Sequence, residues 1–132
     1  MRTIKLRSAG DDKGALTLSY VIIVPVLLLA LMVITQTALW YLARQAALAA
    51  AQQGADAARA QRAQPEDGPK AALAFARTAA SGYLSSPAAT DAGSSAQTIQ
   101  ITVTGAVPSF VPGLVIHVTE VAQAPVERFT TP

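Results

Sequence analysis

Cysteine is missing from this chain of 132 residues, and histidine occurs only once, at His117. Without cysteine the chain forms no disulfide and has no thiolate with which to bind a metal. The sequence around His117 has no metal-ligand spacing and no nucleophile elbow, and no glycine-rich phosphate loop follows a strand pattern. Serine and threonine are plentiful, but a hydroxyl without a base is a poor nucleophile. We therefore expect no enzyme, no cofactor and no small-molecule substrate, and we expect His117 to face solvent on a strand.

Charged residues are also absent from one long stretch, between Lys13 and Arg44. Thirteen Leu, Ile and Val residues lie between Leu16 and Ile34, and roughly 20 apolar residues suffice for a helix to cross a hydrocarbon core. Their summed insertion free energy is about −4 to −8 kcal/mol. The pattern predicts a transmembrane helix. The alternative, a buried helix of a soluble domain, needs a core that the remaining, alanine-rich chain is too short to supply.

Positive charge is concentrated before this segment. The chain carries ten basic and eight acidic side chains, of which four basic and two acidic ones precede residue 14, so the rest of the chain is neutral. Nucleic-acid binding needs Lys and Arg gathered on a folded face, and this distribution argues against it. By the positive-inside tendency, we expect residues 1–13 in the cytoplasm and the residues from 44 onward outside the membrane.

Helix-forming residues continue past the apolar segment. From Ala43 to Ala63 the sequence is rich in Ala, Gln and Arg and is interrupted only by Gly54, so the first helix is predicted to run on out of the membrane. Asp56 and Arg59 lie about one turn apart and can pair. Small side chains in this stretch either allow close approach of another helix or are low-complexity filler; they include Ala46, Ala50, Gly54, Ala57 and Ala58.

A turn and a second helix follow. Residues 64–69 are a turn by composition, and a helix is predicted from Pro69 to Leu84. Residues 85–96, rich in Ser, Ala, Pro and Gly, are predicted to form a flexible loop. The second helix has an apolar face that can pack on the first, formed by Ala72, Phe75, Ala76, Ala79 and Tyr83.

Two strands are predicted after this loop. Ile99, Ile101 and Val103 alternate with polar residues, which is typical of a half-buried strand. A long turn over residues 105–113 contains two prolines and leads to a return strand. Two strands alone are marginal in water, so they must lie on the helices or pair with another chain. The apolar positions of the return strand are Leu114, Ile116 and Val118.

The expected fold is therefore α+β and membrane-anchored. A long N-terminal transmembrane helix continues outside the membrane, a second amphipathic helix follows, and the chain closes with a two-stranded antiparallel hairpin.

Several motifs occur in an order that is typical of one protein family. They are a charged leader ending in glycine, an apolar run with a proline eleven residues on, an aromatic pair and an alanine-rich helix: Lys13-Gly14-Ala15, Pro25, Trp40-Tyr41, and ARQAALAAAQQGADAARA from Ala43. In order and spacing they resemble the TadE-like family of tight-adherence (Tad) pseudopilins, which are type IV pilus-like proteins. The C-terminal stretch ITVTGAVPSFVPGLVIHVTEVAQAPVERF is also similar to members of that family.

This resemblance implies a processing site at Lys13, Gly14 and Ala15, where a prepilin peptidase cuts after the glycine. Residues 1–14 are then a cytoplasmic leader, residues 15–43 a transmembrane helix, and residues 44–132 an extracytoplasmic α+β domain. Pilin-like proteins usually carry a glutamate five residues after the glycine, which meets the N-terminal ammonium of a neighbouring subunit. Here that position is Ser19. Its hydroxyl either accepts one hydrogen bond during assembly or only replaces a methyl-sized group in lipid.

Pro25 and the end of the apolar run are the remaining candidate sites. Inside a helix Pro25 removes one backbone donor, which predicts a kink. The kink is either a flexible point that lets the helix leave the bilayer and repack, or an ordinary feature of a membrane helix. Trp40, Tyr41 and Arg44 are expected at the membrane interface.

Three hypotheses of different class follow. The first is a minor pseudopilin of a Tad or type IV pilus-like assembly, single-pass in the cell membrane. Its partners are membrane lipid, the prepilin peptidase, other pilin-like subunits and the pilus assembly platform. The second is an uncleaved single-pass anchor that presents an extracytoplasmic protein-interaction domain, and the third is an enzyme.

Overall fold

The computed structural model describes residues 11–60 and 62–126, with side chains from residue 19 onward. The chain divides into two units, Met1–Thr35 and Gln36–Pro132, and helix α1 (Asp11–Ala58) continues from the first into the second. The second unit also contains α2 (Asp67–Ala79), β1 (Ser85–Thr90), β2 (Thr98–Val107) and β3 (Ile116–Pro125). The predicted long apolar helix and second helix are confirmed.

In the first unit, α1 carries large apolar side chains that no other element covers. Between Tyr20 and Ile34, most of the Leu, Ile and Val side chains are 48 to 65% exposed. The most apolar window of this helix has a mean hydropathy of 2.5, and none of it is buried. The helix is long and apolar enough to be a candidate membrane span.

The ends of α1 differ from the predicted range, 15–63. The helix begins four residues earlier and ends five residues earlier. After its end Arg62 adopts a φ of 68°, in the left-handed region that chains use to reverse direction. Pro65 follows three residues later and disfavours helical backbone in the residue before it. The helix therefore ends at Ala58, before the turn, and not at residue 63.

The core of the second unit is built from small side chains. The largest fully buried side chains are Ile101 and Val103, both on β2. Ile101 lies between the two helices, because its Cγ2 is 3.0 Å from a Cβ built at Gly54 and its Cδ1 is 2.8 Å from a Cβ built at Gly68. The buried positions of α1 are Ala43, Ala47, Ala50, Ala51, Gly54 and Ala55.

The approach of α1 to α2 depends on the absence of a side chain at Gly54. A Cβ there would lie 2.8 Å from the carbonyl oxygen of Gly68 and 2.9 Å from the Cβ of Ala72. These distances are shorter than van der Waals contact, so any side chain would push the helices apart. The expectation that small residues on α1 permit close helix approach is confirmed at Gly54.

Helix α2 begins two residues before and ends five residues before the predicted range, 69–84. Asp67 in its first turn and Arg77 in its last turn both complement the helix dipole. The helix ends at Ala79. A turn follows, in which the backbone N–H of Leu84 donates to the carbonyl of Ala80 at 2.9 Å, and the chain then enters the sheet.

The predicted inner face of α2 is confirmed from Ala72 to Ala76 only. Ala72 and Ala76 are buried and Phe75 is half-buried, but Ala79 and Tyr83 are exposed. Ala79 is the last residue of the helix and Tyr83 lies in the turn beyond it, so neither is placed against the core. Leu84, which follows the turn, is buried in their place.

Strand β1 corrects the prediction of a flexible loop over residues 85–96 and of a two-stranded hairpin. It pairs antiparallel with β2, so the sheet has three strands in the order β1-β2-β3. Pro87 is tolerated because β1 is an edge strand and the register shifts between Ser85 and Ala88. The segment SSPAAT lacks apolar alternation, and pairing with β2 makes it a strand in spite of its composition.

The hairpin of β2 and β3 is confirmed as antiparallel. Its register runs from Thr98 opposite Pro125 to Val107 opposite Ile116. Strand β2 ends later and β3 begins later than predicted, so the connecting loop is residues 108–115 and not 105–113. Leu114, predicted in the return strand, lies in this loop and is exposed, while His117 faces solvent on β3 as expected.

Strand β3 and the second half of α1 run side by side in the same direction. Ile116 and Trp40 line one shallow cavity near their beginning, and Arg44 contacts Glu120 further on. Near their ends, residues 122–125 line a cavity with Asp56. The 108–115 loop consequently lies at the Gln36 end of the second unit, and the β1–β2 turn lies at the opposite end of β2.

Candidate functional site

The predicted processing residues, Lys13, Gly14 and Ala15, belong to the helical backbone of α1. Their side chains lie outside the described part of the chain, as does the leader from Met1 to Gly10. Processing after Gly14 therefore stays a prediction.

Ser19 and Pro25, the predicted assembly residues, lie on the apolar part of α1. Both are exposed, and α1 is recorded as one helix through Pro25. The predicted kink and the assembly role of Ser19 stay predictions. Further along the same helix, the hydroxyl of Thr35 donates to the carbonyl of Leu31 at 2.9 Å. A hydroxyl that bonds its own helix in this way leaves no unsatisfied donor in an apolar environment.

Arg44, one of the three predicted interface residues, joins α1 to the sheet. Its Nε donates to Oε1 of Glu120 on β3, and its guanidinium carbon lies 5.5 Å from the centre of the Trp40 ring. The Glu120 side chain is 16% exposed and points to the helix side of the sheet, the side on which Val118 and Ala122 are buried. The Arg44 side chain is 51% exposed, so this ion pair is open to water on one side. Tyr41 is exposed next to it along the helix.

Gln36, which the sequence did not single out, binds the 108–115 loop through both ends of its amide. Its Nε2 donates to the carbonyl of Pro108 at 3.2 Å, and its Oε1 accepts from the backbone N–H of Phe110 at 3.3 Å. The loop is therefore fixed to α1 two residues after Ile34, where the apolar run ends.

The 108–115 loop is also ordered within itself. The N–H of Leu114 donates to the carbonyl of Val111 at 3.2 Å, which closes a four-residue turn. Pro112 takes the second position of this turn and Gly113, with a φ of 81°, the third. Proline and a positive φ at these two positions are the signature of a type II turn. The loop thus has a defined conformation in which its apolar side chains are displayed.

Residues 14–56 match the family model for TadE-like protein.

This match confirms the resemblance inferred from the sequence, over the part of the chain from Gly14 to Asp56. It covers most of α1, including Gly14 and Ala15 of the predicted processing site and all the predicted assembly and interface residues, and it leaves out Lys13, α2 and the sheet. No curated protein and no solved structure matches the chain significantly. The match spans 43 of the 132 residues of the chain.

Two contacts of the TadE-like segment were missed by sequence reasoning, Gln36 with the loop and Arg44 with Glu120. Gln36 carries a weak signal, because it is the first amide side chain after the apolar run. Glu120 carries another, because it is an acidic residue at an inward position of the predicted alternation in β3. Neither signal names its partner, since both contacts join residues more than 70 positions apart.

Proposed function

We propose that the chain is a minor pseudopilin of a Tad or type IV pilus-like assembly, a structural or accessory subunit in pilus biogenesis. The observation that supports this most is the family match, which begins at residue 14, the glycine of the expected processing site. The apolar and exposed first half of α1 supports the membrane location that such a subunit needs.

Processing is the first part of the proposal. A prepilin peptidase cuts after Gly14, removes residues 1–14 and leaves a free ammonium on Ala15. Lys13, Gly14 and Ala15 form the recognition site, since a glycine at the cut allows the peptidase to close around the backbone. Residues 15–43 then form the transmembrane helix, and residues 44–132 lie outside the cytoplasm.

The orientation rests on charge. Basic residues are concentrated before residue 14, and the positive-inside tendency keeps such a tail in the cytoplasm. Trp40, Tyr41 and Arg44 then lie at the outer interface. The partners of the proposed subunit are membrane lipid, the prepilin peptidase, other pilin-like subunits and the pilus assembly platform.

A second candidate function is an uncleaved single-pass anchor that presents an interaction domain. The observation that favours it is the second unit itself, which has its own core and a three-stranded sheet with two edge strands. Edge strands offer unpaired backbone groups to a partner. The two candidates differ in whether the leader is removed.

Intact-mass measurement of the protein extracted from membranes decides between them. The pseudopilin proposal expects the loss of Met1 to Gly14. The Gly14→Leu variant should keep its leader, because a branched side chain at the cut obstructs the peptidase, while insertion is unaffected. Gly10→Leu is the matched control, with the same change four residues upstream, and it should be processed normally. A parent protein of full length would remove the pseudopilin proposal and leave the anchor.

The role of Ser19 is tested by Ser19→Glu, which supplies the carboxylate of other pilin-like proteins. A glutamate at this place pairs with a neighbour's N-terminal ammonium, so crosslinking between subunits in membranes should increase. The carboxylate costs about 2.5 to 3.5 kcal/mol at mid-bilayer and less near the edge, so insertion survives. The increase should vanish when Gly14→Leu is added, because no free ammonium then forms. Equal crosslinking in all three proteins would mean that position 19 has no part in subunit pairing.

A further inference from the structure

The 108–115 loop exposes apolar side chains on an ordered backbone. Phe110 and Val115 are each 63% exposed, and Val111 and Leu114 are exposed as well. No Asp, Glu, Lys or Arg occurs between Asp91 and Glu120, so the loop and both strand ends beside it carry no formal acidic or basic charge. A cluster of exposed apolar side chains on a fixed loop marks a surface that contacts something else.

The position of the loop along α1 indicates what that is. Residues 16–35 are twenty residues, which at 1.5 Å rise cover about 30 Å, the thickness of a hydrocarbon core. Within the proposed transmembrane helix, residues 15–43, the part that crosses the hydrocarbon core can thus end where Gln36 begins, and Gln36 is the residue that holds the loop. Arg44 comes eight residues after Gln36, which is about 12 Å further along the helix, and there it contacts Glu120 on β3.

Along the second unit, three levels therefore follow one another. The uncharged loop lies beside Gln36, the aromatic ring of Trp40 comes next, and the ion pair of Arg44 and Glu120 follows. The same order of residue types, apolar, then aromatic, then charged, is found in membrane proteins from the bilayer core through the interface into water.

We propose that the 108–115 loop is a second membrane contact of this protein and that its apolar side chains enter the interfacial layer of the lipid bilayer beside residues 36–40. The proposal rests on the membrane anchorage in the proposed function and adds a contact made by the sheet. The loop stays in the interface, because its irregular backbone needs water for the polar groups that Gln36 and the turn do not satisfy.

The test uses the natural absence of cysteine. Phe110→Cys, Leu28→Cys and Ala92→Cys are each labelled with an environment-sensitive nitrobenzoxadiazole dye in the full chain and reconstituted into phosphatidylcholine and phosphatidylglycerol vesicles. Quenching is measured with nitroxide lipids that carry the spin label either near the headgroup or deep in the acyl chain. Leu28 lies in the apolar part of α1, and Ala92 is an exposed residue of the β1–β2 turn, at the opposite end of β2 from the loop.

The proposal expects the Phe110→Cys label to be quenched by the shallow nitroxide more than by the deep one, with a blue shift of its emission. The Leu28→Cys label should be quenched most by the deep nitroxide, and the Ala92→Cys label by neither. Val115→Cys repeats the measurement on the other side of the turn, should the change at Phe110 disturb the fold. Its label should give the same shallow quenching.

Three outcomes would overturn the proposal. If the labels at positions 110 and 115 behave like the one at 92 while the label at 28 is in lipid, the anchor stands and the loop is in water. If the loop labels are shielded from aqueous iodide but not quenched by either lipid, a second protein copy covers the loop. If the label at 28 is also unquenched, the membrane anchorage fails and the loop contact fails with it.

Discussion

Residues 20–34 and residues 43–55 belong to the same helix, yet the first stretch exposes large apolar side chains and the second buries small ones. In the first stretch, most of the Leu, Ile and Val side chains are about half exposed or more. In the second, the buried residues are alanines and one glycine. Soluble proteins bury their large apolar side chains first. Here the largest apolar surface of the helix is left outside the fold.

The proposed membrane location of the first stretch accounts for this difference. In the second unit, the backbones of α1 and α2 approach so closely that a Cβ at Gly54 would lie 2.8 Å from a carbonyl oxygen. Such packing has a fixed shape and admits only small side chains. In the proposed membrane span the neighbours are lipid chains, which adapt to any shape, so apolar area matters more there than volume. Large Leu and Ile side chains therefore indicate lipid, and small side chains at helical spacing indicate a neighbouring helix.

The largest expected effect on stability comes from truncating an apolar side chain in the core of the second unit, compared with one in the exposed stretch of α1. Ile101→Ala should lower the free energy of unfolding of the second unit by about 2 to 5 kcal/mol, because it leaves a cavity between the two helices. Leu28→Ala removes a similar side chain from the exposed stretch and should leave that free energy unchanged. Urea unfolding in detergent, followed by the fluorescence of the single tryptophan, Trp40, measures both. Equal losses would contradict the division of the chain into two environments.

A smaller effect is expected from Gly54→Ala, which tests the packing of small residues directly. Alanine is the better helix former by about 1 kcal/mol, but the added Cβ meets the backbone of α2. We expect a net loss of about 1 to 3 kcal/mol in the free energy of unfolding. Gly82→Ala is the matched control, since a Cβ there meets nothing within 4 Å, and it should change stability by no more than about 0.5 kcal/mol. A gain in stability from Gly54→Ala would show that the helices are further apart than described.

The smallest effect is expected at the ion pair that joins α1 to β3. Glu120→Gln keeps the shape of the side chain and removes the charge that Arg44 contacts. Because Arg44 is half exposed, the loss should be about 0.2 to 1 kcal/mol. It should shrink as salt is added, since salt screens exposed charges. Asp56→Asn, at the 2.7 Å pair with Arg59 that the sequence predicted, is the control for an ion pair within one helix. If salt does not change the loss of unfolding free energy in Glu120→Gln, the charge of Glu120 is not the cause of that loss.

Much of this fold follows from local patterns in the sequence. The absence of charge predicts the apolar half of α1, the alternation around Ile101 predicts β2, and the one-turn spacing predicts the Asp56–Arg59 pair, all of which the structure contains. Strand β1 has no such pattern, because it becomes a strand only by pairing with β2. The contacts of Gln36 and Glu120 escape prediction for the same reason, since each depends on a partner far away in the chain.

The most direct test of the central claim, a single-pass subunit with its tail in the cytoplasm and its folded unit outside, is cysteine labelling in intact cells. Ala92→Cys is treated with a membrane-impermeant maleimide, and Ser8→Cys is treated in parallel in a Gly14→Leu background, so that the leader is retained. The account predicts that Ala92→Cys is labelled without lysis and that Ser8→Cys is labelled only after it. Labelling of Ala92→Cys only after lysis would place the folded unit inside the cell and contradict the account.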